Sequence, residues 1–145
     1  MNIFYFDENV DECARDHCDA HVVKMILESA QILCTVLWMN DIPAPYRSTH
    51  NNHPCTVWAN QSLSNWNWLK MLAEALNQEY KYRFNHDRNH KSYDVIVTLN
   101  PPPIIDFGLT ERPQVMPDEY KNKRPEIAYR QYFVARKLHL GSRAK

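Results

Sequence analysis

Apolar residues recur at the spacing of an α-helix along three stretches of the chain. The first apolar stripe consists of Val22, Met25, Ile26, Ala30, Leu33, Val36 and Leu37. The second consists of Trp58, Trp66, Leu69, Ala73, Leu76 and Tyr80, and the third of Ile127, Tyr129, Tyr132, Phe133 and Leu138. These stripes predict helices over about 10–39, 55–83 and 125–138.

Prolines and weak helix formers separate the predicted helices. The prolines of 41–45 end the first helix, and Pro54 suits the first turn of the second, which the run 60–62 kinks or splits. Residues 92–99 are rich in β-branched side chains, which favours a strand. A lone strand has no partner, so we expect a short helix or an extended segment. Three consecutive prolines open an irregular loop over 100–120.

These elements predict an all-α fold, a compact single-domain helical bundle over 1–145 with one long proline-rich loop. The chain has only two glycines, which disfavours a β-rich fold with many tight turns. A domain of 145 residues buries roughly two-thirds of its unfolded surface. No signal peptide or membrane span is evident, so we expect a cytoplasmic protein, in the host cytoplasm if the gene is viral. The four cysteines are expected to be structural thiols.

The distribution of charge is uneven, although the net charge is zero, which argues against coating of nucleic acid by charge alone. Residues 120–145 hold eight Lys and Arg residues against Glu126. A basic C-terminal helix would follow a phosphate backbone; the alternative is an ordinary solvated face.

The first predicted helix carries a polar stripe of His17, His21, Lys24 and Glu28 at spacings of four, three and four residues. An imidazole, an amine and a carboxylate on one face suit proton transfer or covalent catalysis by an amine. Partial burial of Lys24 among its apolar neighbours would favour its neutral, nucleophilic form. The alternatives are a solvated face with a Lys24–Glu28 ion pair, or a zinc site that includes Cys13.

A second polar motif lies before the second helix and contains Arg47, His50, Asn52 and His53. The free N–H groups of a helix N-terminus would help such side chains to bind a phosphate or a developing oxyanion. The alternative is a polar loop that caps the helix.

Further candidate ligands lie on the later elements. Tyr82 and Arg83 fall off the apolar stripe and would contact an unstacked base. Lys121 and Arg130 would bind phosphates, or else pair with neighbouring carboxylates. No partner pair stands at zinc-finger spacing, so we expect no metal ion in spite of the zinc alternative, and we expect no cofactor.

The motifs together resemble a group of small, largely phage-encoded proteins. The resemblance is carried by His-Cys-Asp-x-His-Val-Val-Lys-Met-Ile-Leu-Glu at 17–28, Thr-His-x-Asn-His-Pro-Cys at 49–55 and Tyr-x-Tyr-Arg at 80–83. It continues with Met-Pro-Asp-Glu-Tyr at 116–120 and Ala-Tyr-Arg-x-Tyr at 128–132. More distantly, the order of motifs is similar to that of the pyrimidine-dimer DNA glycosylases, the phage endonuclease V family. The resemblance implies an all-α enzyme that flips a nucleotide, attacks the sugar with an amine and cleaves the strand through an imine.

The leading hypothesis is therefore an enzyme that acts on a pyrimidine nucleotide of duplex DNA, similar to a DNA glycosylase/lyase. The candidate catalytic residues are His21, Lys24, Glu28, His50 and His53. The candidate DNA-binding residues are Arg47, Asn52, Tyr82, Arg83, Lys121 and Arg130. Two alternatives stay open: a phage enzyme that transfers a group at a modified pyrimidine, and a non-catalytic DNA- or protein-binding module.

Overall fold

The structure, a computed structural model, describes the backbone of residues 2–143 and the side chains of residues 2–135. The described helices are α1 Val10–Arg15, α2 Asp19–Met39, α3 Pro54–Gln61, α4 Leu63–Arg83, α5 Lys91–Ile96 and α6 Pro125–Arg143, with a 3₁₀ turn at Asp118–Tyr120. The described part of the chain contains no strand, and the prediction of a compact all-α fold is confirmed.

The two long helices, α2 and α4, pack against each other at the centre of the core. The indole N–H of Trp66 on α4 donates to the carbonyl oxygen of Leu33 on α2 at 3.2 Å. Residues 3–6 precede the first helix and are buried against this pair, where Tyr5 packs on Trp68 with ring centroids 5.1 Å apart. The N-terminal segment is thus a component of the core.

α2 is apolar enough, over its 21 residues, to meet the length and hydropathy of a membrane span. No membrane span was expected from the sequence. Its most apolar window has a mean hydropathy of 1.5, and 67% of that window is buried inside the fold. This burial is the pattern of a central core helix.

The first predicted helix is divided into α1 and α2, which corrects the continuous helix expected over 10–39. The break follows from two tertiary contacts at its turn: Arg83 donates to the carbonyl oxygens of Arg15 and His17, and Arg130 pairs with Asp16. These partners satisfy groups that a continuous helix would have paired internally.

The second predicted helix is also divided, at Ser62, whose backbone is extended with φ −155° and ψ 142°. Ser62 Oγ donates to the carbonyl oxygen of Gly108 at 2.7 Å and accepts from the N–H of Phe107 at 2.8 Å. Asn65 Nδ2 donates to the carbonyl oxygen of Trp58 at 2.8 Å. The long loop therefore replaces the hydrogen bonds of the missing helical turn.

The remaining elements follow the sequence expectations. The ambiguous segment forms the short helix α5, and 100–120 is irregular apart from its 3₁₀ turn. α6 continues to Arg143, five residues beyond the predicted end at 138.

Candidate functional site

His21 lies near the start of α2, where the N-terminal segment crosses the helix. Its imidazole stacks on the ring of Phe4, with centroids 4.5 Å apart and planes inclined by 19°. The ring of Phe133 on α6 lies 5.8 Å from His21 on another side. The aromatic neighbours hold the imidazole in place and leave it half-buried.

Glu28 follows His21 by two helical turns and is therefore on the same face of α2. Only 9% of Glu28 is exposed. Its negative charge raises the pKa of Cys55, after the larger effect of burial, and opposes the lowering of the pKa of His53. The carboxylate thus acts electrostatically on two residues of α3 and its cap.

His53 is the N-cap of α3, and Pro54 occupies the first helical position. Its Nδ1 accepts a hydrogen bond from the backbone N–H of Cys55 at 3.1 Å, which leaves Nε2 as the protonated nitrogen of the neutral ring. Burial lowers the pKa of His53, and the charge of His50 acts in the same direction. The predicted role as a helix cap is confirmed, and it fixes the tautomer of this imidazole.

Cys55 and Asn2 connect α3 to the N-terminal segment. Cys55 Sγ donates to Asn2 Oδ1 at 3.6 Å. The hydroxyl of Tyr129 on α6, which donates to the carbonyl oxygen of Pro113 at 2.7 Å, lies 3.5 Å from the same Asn2 oxygen. Burial raises the pKa of Cys55 to about 12, so this thiol is protonated at neutral pH and is not a nucleophile. We call Asn2, Phe4, His21, Glu28, His53 and Cys55 the N-terminal cluster.

Lys24 and His50 lie at the solvent side of this cluster. Lys24 is one turn from both His21 and Glu28, but its side chain is exposed, so the desolvation expected from its apolar neighbours is absent. The described residues form no ion pair with Lys24, which removes the alternative of a Lys24–Glu28 pair. His50 has a positive φ of 53°, and its Nδ1 lies 2.7 Å from Thr49 Oγ1.

His17 is a core residue, contrary to the expectation of a polar stripe that includes it. Its Nδ1 donates to the carbonyl oxygen of Cys13 at 2.7 Å, and burial lowers the pKa of His17 to about 4. Cys13 donates its thiol proton to the carbonyl oxygen of Phe4 at 3.2 Å. Within the described residues no group of three His, Cys, Asp or Glu is placed to hold a metal ion, so Cys13, His17 and His21 do not converge in that way.

Three of the candidate DNA-binding cations are engaged in contacts within the protein. Arg83 bonds to Glu79, Asp19 and two backbone carbonyls at the α1–α2 turn. Arg130 donates to the carbonyl oxygen of Phe6 and pairs with Asp16 at 2.8 Å. Lys121 pairs with Asp118 at 2.8 Å, the alternative that the sequence had left open. The side chains of Arg136, Lys137, Arg143 and Lys145, the rest of the predicted basic helix, lie outside the described residues.

The other three candidates, Arg47, Asn52 and Tyr82, are exposed. Arg47 borders a groove of about 530 Å³ between α2 and the loop before α3. Leu27, Gln31, Pro45, Tyr46 and Thr49 complete its lining. The loop is fixed to α2 by Thr35, whose Oγ1 accepts from the N–H of Thr49 at 3.1 Å and donates to its carbonyl oxygen at 3.2 Å.

No protein-family model, curated protein or solved structure matched this chain. The resemblance to the endonuclease V family stays a prediction.

The structure therefore places Glu28 near His53 and on the same face of α2 as His21, and it leaves Lys24 and His50 exposed. Arg130 lies at a different end of the N-terminal segment, beside Phe6 and Asp16. The sequence analysis did not identify Asn2, Phe4 and Cys55 as site residues. The N-terminal segment lacks helical periodicity. The apolar run at residues 3–6 was the one signal in the sequence that pointed to its burial.

Proposed function

We propose that the protein is a DNA-processing enzyme that acts on a pyrimidine nucleotide, with a glycosylase/lyase-like reaction on a flipped nucleotide. The observation that carries the proposal is the convergence of Glu28, His21 and His53 from two elements around the N-terminal segment. A nearly buried carboxylate that acts electrostatically on the imidazole of His53, and that lies on the same helix face as His21, is suited to proton transfer, which a solvated helix face does not need.

The proposed reaction begins when a neutral amine attacks C1′ of the nucleotide. The N–C1′ bond to the enzyme forms, the glycosidic bond breaks, and the base leaves with a proton supplied by an acid of the site. Loss of the amine proton together with cleavage of the C1′–O4′ bond, whose oxygen takes up a proton, gives a ring-opened imine. Removal of a C2′ proton then expels the 3′ phosphate by β-elimination. Glu28 and the two imidazoles are the proposed carriers of these protons.

Two amines are candidates for the nucleophile. Lys24 lies one turn from both His21 and Glu28, and the α-amino group precedes Asn2 of the N-terminal cluster. The exposure of Lys24 removes the desolvation on which its assignment depended. The α-amino group therefore stays a candidate beside Lys24.

The neutral form of His53 suits the role of base. Burial lowers the pKa of His53 below its ordinary value, so the ring is mostly uncharged at neutral pH and accepts a proton. Nδ1 accepts a hydrogen bond from the N–H of Cys55. The proton of the neutral ring is on Nε2, so Nε2 acts as a donor and does not accept a second proton. His53 therefore takes up a proton at Nδ1 only when the hydrogen bond at the cap opens.

A panel of duplexes that contain abasic sites, damaged pyrimidines and modified pyrimidines tests this function. Strand cleavage together with an adduct that borohydride reduces supports the glycosylase/lyase. A change in the mass of the DNA without an adduct indicates the alternative enzyme that transfers a group at a modified base. Binding without any turnover indicates the non-catalytic module, and both of these results contradict the proposal.

A further inference from the structure

The segment that includes the end of α4, the following turn and the start of α5 is rich in basic residues. Residues 81–91 contain Lys81, Arg83, Arg88 and Lys91 and two histidines, against Asp87. A run of this composition, with aromatic residues between the cations, is typical of a surface that follows a nucleic-acid backbone. The sequence analysis had selected only Tyr82 and Arg83 from it.

The backbone of this turn is held by neutral side chains. The buried Asn77 donates to Asn89 Oδ1 at 3.0 Å and accepts from the N–H of His90 at 2.9 Å. His90 caps α5 by accepting from the N–H of Ser92 at 3.0 Å. Because these contacts fix the turn, Arg88 and Lys91 have no structural role in it, whereas Arg83 is bound at the α1–α2 turn.

The cations of the described residues fall into two groups. Those paired with a carboxylate are Arg15, Arg83, Arg112, Lys121, Arg124 and Arg130. Those with no such pair among the described residues are Lys24, Arg47, Lys70, Lys81, Arg88, Lys91 and Lys123; of these, Lys70 donates to the carbonyl oxygen of Leu99. Four of the unpaired cations, Lys24, Arg47, Arg88 and Lys91, lie on or beside the two grooves that border α2.

The first of these grooves has a volume of about 600 Å³ and is lined by Val23, Tyr80, Asp87, Arg88, Asn89, His90, Lys91 and Asp94. The second is the groove of Arg47, which begins at Leu27, one turn along α2 from Val23. Lys24 is exposed on the same stretch of helix. The hydroxyls of Tyr46 and Ser92, 2.9 Å apart, tie the walls of the two grooves to each other. The grooves are therefore neighbours on one side of the molecule.

The acids of the first groove define what it can bind. The two carboxylates of Asp87 and Asp94 balance the positive charges of Arg88 and Lys91. The groove as a whole therefore lacks the excess positive charge that a site for a small anion needs. Asp94 accepts from Asn89 at 3.0 Å and is held by that contact. The exposed cations fit a chain of phosphates that passes over the surface. Phe84, exposed and 5.6 Å from the ring of Tyr80, adds an aromatic face beside the groove.

We propose that Lys24, Arg47, Arg88 and Lys91 form a surface that binds the phosphate backbone of DNA beside the N-terminal cluster. The choice of DNA rests on the proposed function. In this proposal the four cations take the place of Arg83, Lys121 and Arg130 as DNA-binding residues, because the charges of those three are already neutralised within the protein. Each cation that contacts a phosphate releases a counterion, so the affinity depends on salt in proportion to the number of contacts.

The test is the binding of a labelled, undamaged duplex, measured by fluorescence anisotropy over a range of salt concentrations. The variant is R88Q/K91Q, and the matched control is K123Q/R124Q, which removes one Lys and one Arg from a different surface. Loss of two phosphate contacts lowers the slope of log affinity against log salt by about 2 and weakens binding roughly tenfold or more at low salt. The control keeps the slope of the wild-type protein. Equal thermal unfolding of both variants shows that the fold is intact.

The proposed surface is contradicted if R88Q/K91Q has the same affinity and salt dependence as the control variant. It is also contradicted if the wild-type protein does not bind the duplex. These results are separate from the proposed reaction, because borohydride trapping is measured independently. A variant with weakened binding, in a protein that never forms an adduct, supports the surface and contradicts the lyase. An adduct that forms with unchanged binding in R88Q/K91Q supports the lyase and contradicts the surface.

Discussion

Arg83 Nη1 donates a hydrogen bond to the carbonyl oxygen of His17 at 2.6 Å, across 66 residues of sequence. Nη2 of the same guanidinium donates to the carbonyl oxygen of Arg15 at 2.9 Å, and Nε pairs with Glu79 at 2.9 Å. One side chain at the end of α4 thus satisfies the carbonyl groups that are left free where α1 ends. The relationship explains why the helix is interrupted at a site that contains neither glycine nor proline.

Replacement of Arg83 tests this role. Arg83→Met keeps much of the aliphatic stem but leaves the carbonyl oxygens of Arg15 and His17 without partners. We expect a loss of about 2–3 kcal/mol in the free energy of unfolding, measured by urea denaturation. Arg88→Met, an exposed change on the neighbouring turn, should alter it by less than about 0.5 kcal/mol. Equal effects of the two substitutions would contradict the structural role of Arg83.

The burial of His17 predicts a loss of stability in acid. Its pKa is about 4 in the folded protein, whereas an unfolded histidine titrates near 6.5. Between these values the unfolded chain binds the extra proton, so the free energy of unfolding falls as the pH is lowered through that window. The contribution of this one group is at most about 3 kcal/mol.

His17→Asn isolates that contribution, because an amide can still donate to the carbonyl oxygen of Cys13 but does not titrate. The variant is expected to be less stable at pH 7 and to lose less stability between pH 7 and pH 4 than the wild-type protein. Substitution of the exposed His50 by Asn serves as the control. If the acid dependence of the His17 variant equals that of the wild-type protein, the histidine is not buried in its neutral form.

The overall class of the fold could be predicted from the sequence, but its two interruptions could not. The apolar stripes mark the core faces of α2 and α4 correctly, since helical periodicity is a local property. The breaks at Asp16 and Ser62 depend on Arg83 and on the loop around Gly108, which are distant in sequence. His17 illustrates the same limit for the site: its spacing matches that of His21 and Lys24, yet the turn before α2 directs it into the core.

The hydroxyl of Ser62 is predicted to hold the break between α3 and α4. Ser62→Ala removes the donor to the carbonyl oxygen of Gly108 and the acceptor of the Phe107 N–H, in a fully buried position. Unsatisfied buried groups of this kind cost about 1–3 kcal/mol. Limited proteolysis should cleave the loop over 104–110 faster than in the wild-type protein. Thr98→Ala, which removes an exposed hydroxyl, should leave the cleavage rate unchanged; faster cleavage in both variants would refute the assignment.

The central claim is that Glu28 serves an imine-forming site, and borohydride trapping on a duplex with an abasic site tests it most directly. The wild-type protein is predicted to form a covalent adduct, and Glu28→Gln, nearly identical in shape, to lose most of it while it remains folded. Lys24→Ala and acetylation of the α-amino group, measured in parallel, identify the amine: only the modification that removes the nucleophile abolishes the adduct. Trapping by Glu28→Gln at the wild-type rate, or the absence of an adduct with the wild-type protein, would contradict the account.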